Sequence, residues 1–485
     1  MGAASEGPET RLAGEPSRSY RMVRGLARLA AGLFYRNLEL VGAERIPATG
    51  PLIVAANHQN SLVDPMLLVA TLPRALRPLA KAPLFRHPLV RPFLAAVGAV
   101  PVQRAQESGS DPARNDAMFR ATSDALAAGG AILIFPEGIG HFEPALQPLR
   151  TGAARMLLGA RTAGAAPVTL LPVGLVFRQP GRFREGAGAV LVGEPVQTAD
   201  CERLHATDPE AAVRMLTARL AEGLRRQMVE ADTWRTERLL RVAEAVWREE
   251  RPTSTNDPGA APRARDLVAR TQWMQGVERA YRYLLEREPE RLRRLRRGLD
   301  AYAEVLERTG LRGRHLEQEY RAGPVARYAL TETALLFLTL PLALVGLLLH
   351  ATGFWLTDTA VRIAAPEPDV EATYKIFGGL IFYPLSWLAE GFVAWRAGGV
   401  LALAAFVLLL LPSGFFALAW RERLARAASE ARALWRYLRH PDLRRHLAER
   451  REELARELDA LSALVPPEIL NGTSAPSAER AEEPD

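Results

Sequence analysis

A chain of 485 residues, 48% of them hydrophobic and with a formal charge of +7, is long enough for a catalytic core and further modules. A single cysteine, Cys201, excludes an intramolecular disulfide and a zinc centre built on several thiolates, and no metal site is expected. The positive charge is almost wholly arginine, since Lys81 and Lys375 are the only lysines. No aromatic-rich basic module accompanies it, so nucleic acid is not an expected partner, whereas anionic lipid and phosphorylated substrates are.

In chain order, residues 1–16 are rich in Ala, Gly, Glu and Pro and read as a disordered tail, without the apolar core of a secretory signal. Residues 17–37 carry Met22, Leu26, Leu29 and Leu33 at helical spacing, with Arg18, Arg21 and Arg28 on other faces. Such a basic amphipathic helix suits an anionic membrane surface; packing on its own domain is the other reading. Residues 38–200 alternate apolar runs with helical patterns. Strands are expected at Leu52–Ala55, Val100–Val102, Ile132–Phe135, Val168–Phe177 and Ala189–Val192. Helices are expected near Asp64–Leu72, Pro88–Val97, Asp116–Ala128 and Pro148–Ala163. The alternation predicts an α/β domain with a mostly parallel sheet.

Residues 201–328 are helical in pattern, dense in Arg and Glu, and broken at Pro252–Pro262; they read as a solvated helical region. Within 329–420, the stretches Ala329–His350, Ile376–Trp395 and Gly398–Trp420 each approach the ~20 apolar residues of a membrane span. Glu390 and Pro384 make the second the weakest. Residues 421–464 read as basic cytoplasmic helices and 465–485 as a second disordered tail. Arginines flank the apolar region on both sides, which by the positive-inside rule places both flanks in the cytoplasm and requires an even number of crossings. Two true spans are therefore expected, with Ile376–Trp395 re-entrant or interfacial.

Four segments of the α/β region carry the chemistry. Asn57-His58-Gln59-Asn60-Ser61-Leu62-Val63-Asp64 follows the first strand. Moving an acyl group to an alcohol needs a base for the hydroxyl proton, and a neutral histidine oriented by a carboxylate supplies one near pH 7. His58 and Asp64 are the candidate pair; the competing reading is a helix capping box from Ser61 to Asp64. Phe135-Pro136-Glu137-Gly138 ends another strand, where substrates of open α/β sheets bind. Gly98-Ala99-Val100-Pro101-Val102-Gln103-Arg104 offers an arginine able to grip phosphate. Leu171-Pro172-Val173-Gly174 has no reactive group and by itself is a kinked strand.

In this order the four segments resemble the signature blocks of the glycerol-phosphate acyltransferase family, over roughly residues 38–200. The resemblance implies that His58 and Asp64 are the catalytic pair, that Arg104, Glu137 and Gly138 bind the acceptor, and that Pro172 lines the acyl side. Lys81 stands where members of the family often keep a lysine. Two departures matter: five residues separate His58 from Asp64 where four are usual, and Ile139, Gly140 and His141 replace the Thr-Arg that usually follows the third block. Arg104, Arg150 or Lys81 would then hold the phosphate. The departures and the segment Asp369–Lys375 resemble the branch that acylates glycerol 3-phosphate or dihydroxyacetone phosphate, with lysophosphatidate as the alternative acceptor.

The resemblance implies an enzyme of phospholipid biosynthesis, and the apolar stretches with their arginine flanks make it an expected integral membrane protein with its catalytic domain on the cytoplasmic face. No cofactor is implied, only an acyl thioester of coenzyme A or acyl carrier protein as donor. Two readings from other classes compete: a membrane scaffold with an inactive domain, and a transporter, against which stands the lack of an evident polar pathway.

Overall fold

The computed structural model describes residues 16–35, 37–88, 90–102, 112–141, 143–178, 187–229, 234–249, 264–309, 322–364, 368–439 and 441–471. The chain divides into two compact units. The first, Met1–Asp232 with two short later segments, holds a seven-stranded sheet in the order β1-β7-β6-β2-β5-β3-β4. Its strands are β1 (Asn37–Val41), β2 (Leu52–Ala56), β3 (Leu76–Lys81), β4 (Val100–Val102), β5 (Ala131–Ile134), β6 (Thr169–Arg178) and β7 (Ala187–Val192). Every pairing is parallel except β6 with β7. The central strands β2 and β5 are buried throughout, which is why they read as unbroken apolar runs rather than alternating ones.

Helices cover both faces. Ile53 and Ala55 of β2 pack with α4 (Pro112–Ala127), α5 (Gly152–Thr162) and α7 (Pro209–Arg225) in the main core. Strand alternation turns Leu52 and Val54 to the other face, where α1 (Arg18–Phe34) and α2 (Val63–Thr71) lie. The remaining helices of this unit are the short α3 (Arg91–Ala96) and α6 (Ala199–His205).

Several expectations are corrected. The α/β unit does not end at residue 200: Cys201 of α6 and Ala212, Leu216, Leu220 and Leu224 of α7 belong to its core. α1 is no free surface helix. Tyr20, Ala27, Ala30, Ala31 and Phe34 are buried, the Tyr20 hydroxyl accepts from Leu76 N (2.8 Å), and Arg28 Nε donates to Ala70 O (2.9 Å). Arg24 donates to Leu72 O, so two arginines of α1 satisfy carbonyls at the C-terminal end of α2. The face with Met22 (71% exposed) and Leu29 (57%) stays open, beside exposed Arg18 and Arg21. The packing reading thus holds for one face of this helix, and the other face is left exposed.

The second unit contains α8 (Trp234–Glu249), most of α9 (Ala264–Arg287), α10 (Pro289–Thr309), α11 (Ala322–Ala364), most of α12 (Pro368–Arg439), α13 (Pro441–Ser462) and α14 (Pro467–Asn471). Leu239, Val246, Leu284, Leu292, Leu295, Leu299, Leu447, Leu454 and Val465 share one core, so segments before and after the long apolar helices pack together. Arg291 pairs with Glu457 (3.2 Å) across it. The expected tail from 465 begins later than read: Val465 is buried, and Arg279 donates to Ile469 O and Leu470 O (2.7 and 2.6 Å). The 1–15 and 472–485 parts of the expected tails lie outside the described residues.

The three apolar stretches fall on two helices, α11 and α12, each long and apolar enough to cross a membrane. Only 17% and 11% of their most apolar windows is buried, unlike the core helix of a soluble protein. α12 is broken at Gly398–Gly399, where φ reaches +66° at Gly399. A Cβ at Gly391 would lie 3.3 Å from Phe406, so the break brings the two sides of α12 against each other. Arg423 binds Glu332 (2.6 and 2.9 Å), and Gly346 lies against Ser413 and Ala417, a small residue permitting close helix approach.

Gly174, in the fourth segment, tests how tightly the sheet is covered. A Cβ there would lie 2.0 Å from Gln227 O, just beyond α7. Gly174→Ala should therefore destabilise the first unit by about 1–3 kcal/mol through overpacking. Thermal unfolding of the detergent-solubilised protein should show a midpoint lowered by about 5 °C; an unchanged midpoint would mean that α7 shifts freely off the sheet.

Candidate active site

Parallel β2, β3, β4 and β5 bring the residues that follow them to one edge of the sheet, its carboxyl edge. His58 comes two residues after β2 and Glu137 three after β5, while Lys81 ends β3. Asn57, buried at the tip of β2, holds that tip to β6 with two bonds: Nδ2 donates to Leu175 O (3.1 Å), and Leu175 N donates to Oδ1 (2.6 Å).

The turn from His58 to Val63 is shaped by one carboxylate. Asp64 Oδ2 accepts from His58 Nδ1 (3.0 Å), Gln59 N (2.7 Å) and Asn60 N (2.8 Å). The Asp64 side chain is fully buried and sits in the first turn of α2, where the helix dipole favours negative charge. The capping-box alternative fails, because α2 starts at Val63 and Leu62, at the N-cap, makes no side-chain cap bond. Ser61 adopts φ +42°, the only non-glycine residue at positive φ among those described. This left-handed residue absorbs the fifth residue between His58 and Asp64 without separating the pair.

A carboxylate only accepts, so Nδ1 of His58 carries the hydrogen and Nε2 is the nitrogen able to take a proton. The ring stacks on Phe135 (centroids 4.2 Å apart) and its side chain is 17% exposed. Tyr35, buried and stacked on Phe177 (5.7 Å), belongs to the surroundings of Asp64. Burial, and secondarily the Asp64 charge, push its hydroxyl well above the ordinary range, so it stays neutral.

Glu137, expected from the resemblance to bind the acceptor, is placed beside His58 in the turn after β5. Its side chain is fully buried, and both oxygens are engaged within the protein. Oε1 accepts from His58 N (2.9 Å); Oε2 accepts from Gln147 N (2.8 Å) and pairs with His141 Nε2. It holds the main chain of the neighbouring turn. Gly138 has φ +72°, and a Cβ there would lie 2.6 Å from Arg150 Nε. The exposed Arg150 side chain therefore lies across Gly138, next to the Glu137 turn, as a cation at the site's rim. Lys81 is exposed at the end of β3. Arg104 lies outside the described residues, two positions beyond the end of β4. Pro172 does not line an open face: it is buried, with its ring against Gly193 and Gly223. Among the described residues no cluster of His, Cys, Asp or Glu fit to hold a metal is present.

The Acyltransferase family profile matches residues 37–176. The chain is 27% identical over 178 residues to the 1-acyl-sn-glycerol-3-phosphate acyltransferase of Bacillus subtilis, covering 36% of this chain and 82% of that one. It is 37% identical over 83 residues to glycerol-3-phosphate O-acyltransferase 2 of Saccharomyces cerevisiae, covering 17% of this chain and 11% of that protein. An uncharacterized acyltransferase of Schizosaccharomyces pombe is 25% identical, with 35% of its length covered. The chain thus spans about a third or less of the two yeast proteins. Among solved structures, the 1-acyl-sn-glycerophosphate (LPA) acyltransferase PlsC from Thermotoga maritima is 20% identical with a TM-score of 0.32, over 42% of this chain and 79% of that one.

The geometry makes Asp64 the keystone of its turn. Asp64→Ala would leave the N–H groups of Gln59 and Asn60 without their acceptor and should cost about 2–4 kcal/mol. Asp64→Asn, which keeps an acceptor oxygen, should lose less. Thermal unfolding of the two variants checks the order, and equal losses would contradict the bonding scheme.

Proposed function

Through residues 37–176 this chain belongs to the glycerol-phosphate acyltransferase family, and from that premise we propose that it transfers a fatty acyl group from an acyl thioester to a glycerol 3-phosphate-type acceptor. The carrying observation is the His58–Asp64 pair at the carboxyl edge of the sheet. His58 Nε2 takes the proton of the acceptor hydroxyl as its oxygen attacks the thioester carbonyl carbon. The tetrahedral intermediate collapses as the C–S bond breaks, and the leaving thiolate takes the proton back from the imidazolium. Asp64 keeps Nδ1–H in place and stabilises the cation in between. No serine nucleophile is required, since the acceptor itself attacks.

Glycerol 3-phosphate or dihydroxyacetone phosphate is the favoured acceptor and lysophosphatidate the alternative. The five-residue spacing held by Ser61 and the His141 sequence support the first, as does the likeness to a glycerol-3-phosphate O-acyltransferase. Arg150 across Gly138, with Lys81 and Arg104, supplies cations for the phosphate. Coenzyme A or acyl carrier protein serves as the thiol.

The protein works as an integral membrane enzyme, anchored by α11 and α12. The shared core of the segments flanking these helices supports an even number of crossings, and the arginine-rich flanks support a cytoplasmic catalytic unit.

His58→Ala should lower kcat by about 10²–10⁴-fold with little change in thermal stability. The assay pairs purified protein and labelled acyl donor with glycerol 3-phosphate, dihydroxyacetone phosphate and lysophosphatidate in parallel. Activity retained in His58→Ala would remove the general base from the mechanism.

The open face of α1 gives a second expectation. Arg28 is engaged with Ala70, and the open face presents exposed Arg18, Met22 and Leu29 to an anionic leaflet. Each arginine there contributes about 1 kcal/mol to surface binding. Arg18→Gln with Met22→Ser and Leu29→Ser should leave the protein in the membrane fraction and lower activity on vesicle-embedded substrate. Activity in micelles should hardly change; equal loss in both settings would make the face structural.

A further inference from the structure

The mechanism uses the ring of His58, but the main chain of His58 is held just as firmly, and a second histidine does part of the holding. His141 N donates to His58 O (3.2 Å), while His58 N donates to Glu137 Oε1 (2.9 Å). Both polar groups of this one residue are thus clamped by the turn after β5. The clamp depends on the placement of the Glu137 carboxylate, which is buried with only N–H donors around it: His58 N, Gln147 N and the His141 ring.

The tautomer of His141 follows from its partners. Glu143 N donates to His141 Nδ1 (3.2 Å), so Nδ1 carries no hydrogen. Nε2 is then the protonated nitrogen and donates to Glu137 Oε2. Both ring nitrogens are occupied within the protein, and the side chain is only 9% exposed. A histidine so engaged is poorly suited to grip a substrate phosphate, although it stands close to where an arginine would usually follow the Glu-Gly pair.

We propose that His141 is a positioning residue for His58. Its Nε2–H fixes Glu137, Glu137 fixes the His58 amide, and the His141 amide fixes the His58 carbonyl. Together they set the direction in which His58 Nε2 faces the acceptor hydroxyl. The inference rests on His58 as general base, and it assigns acceptor phosphate binding to other residues.

The test compares His141→Leu, which removes both ring bonds, with His141→Gln, whose amide can still donate to Glu137. Full-length protein in micelles is assayed with labelled acyl-coenzyme A and glycerol 3-phosphate. His141→Leu should lower kcat by about a hundredfold, the loss expected of a catalytic group misplaced by about an ångström, with both KM values within about twofold. His141→Gln should recover most of that loss. Carbethoxylation of His58 by diethyl pyrocarbonate, followed by mass spectrometry, gives a readout free of turnover. Its rate should change in His141→Leu and return toward wild type in His141→Gln.

A raised acceptor KM with unchanged kcat would make His141 a phosphate ligand and overturn the proposal. So would unchanged kcat in His141→Leu, or equal losses in both variants with lowered thermal stability. If wild-type protein acylates none of the three acceptors, the functional reading fails, while the carbethoxylation rates still decide whether His141 sets the environment of His58.

Discussion

A buried carboxylate must be surrounded by donors, and at Asp64 that requirement organises the site. Deprived of water, its Oδ2 gathers two main-chain N–H groups and one ring N–H from the residues just before its helix. The same bonds that keep the charge tolerable bend the Gln59–Leu62 turn back on itself and fix the histidine tautomer. The fold of the turn and the orientation of the His58 ring therefore draw on one constraint, and neither can be relaxed without the other. Glu137 repeats the arrangement from the neighbouring strand, its donors being the amides of His58 and Gln147 and the ring of His141. Two buried carboxylates thus hold one histidine from opposite ends, Asp64 by its ring and Glu137 by its main chain.

Around this centre the sheet is covered at very short range, and its glycines mark where. Gly174 admits Gln227, while Gly193 and Gly223 admit the ring of Pro172. A strand segment without any reactive group is constrained because α7 lies directly on it. Gly138 has a different task, leaving room for the Arg150 side chain at the rim.

Much of this was legible in the sequence, and the failures have physical causes. β2, β5 and β6 declared themselves because both faces of a central parallel strand are buried. β3 did not, because Arg77 and Pro78 interrupt its apolar residues, and five-residue β1 carries Glu39. The His58–Asp64 pair was readable as a motif, yet its capping-box rival could be dismissed only once the start of α2 was known. The inward role of Glu137 and the part played by His141 depend on contacts between turns after different strands, which local pattern does not encode. The stripe Leu216, Leu220 and Leu224 was present in the sequence of α7, but its high Arg and Glu content drew the reading toward a solvated module.

The helical core of the second unit joins segments separated in sequence by both long apolar helices. Leu292, Leu295 and Leu299 of α10 emerge from the ribosome well before Leu447 and Leu454 of α13, which complete their core. At about 5–20 residues per second, the intervening stretch takes on the order of ten seconds to synthesise. During that interval the apolar stripe of α10 waits without its final cover while both long apolar helices are synthesised. A chain arrested between α11 and α13 would therefore keep the leucine row of α10 without the residues that complete its core.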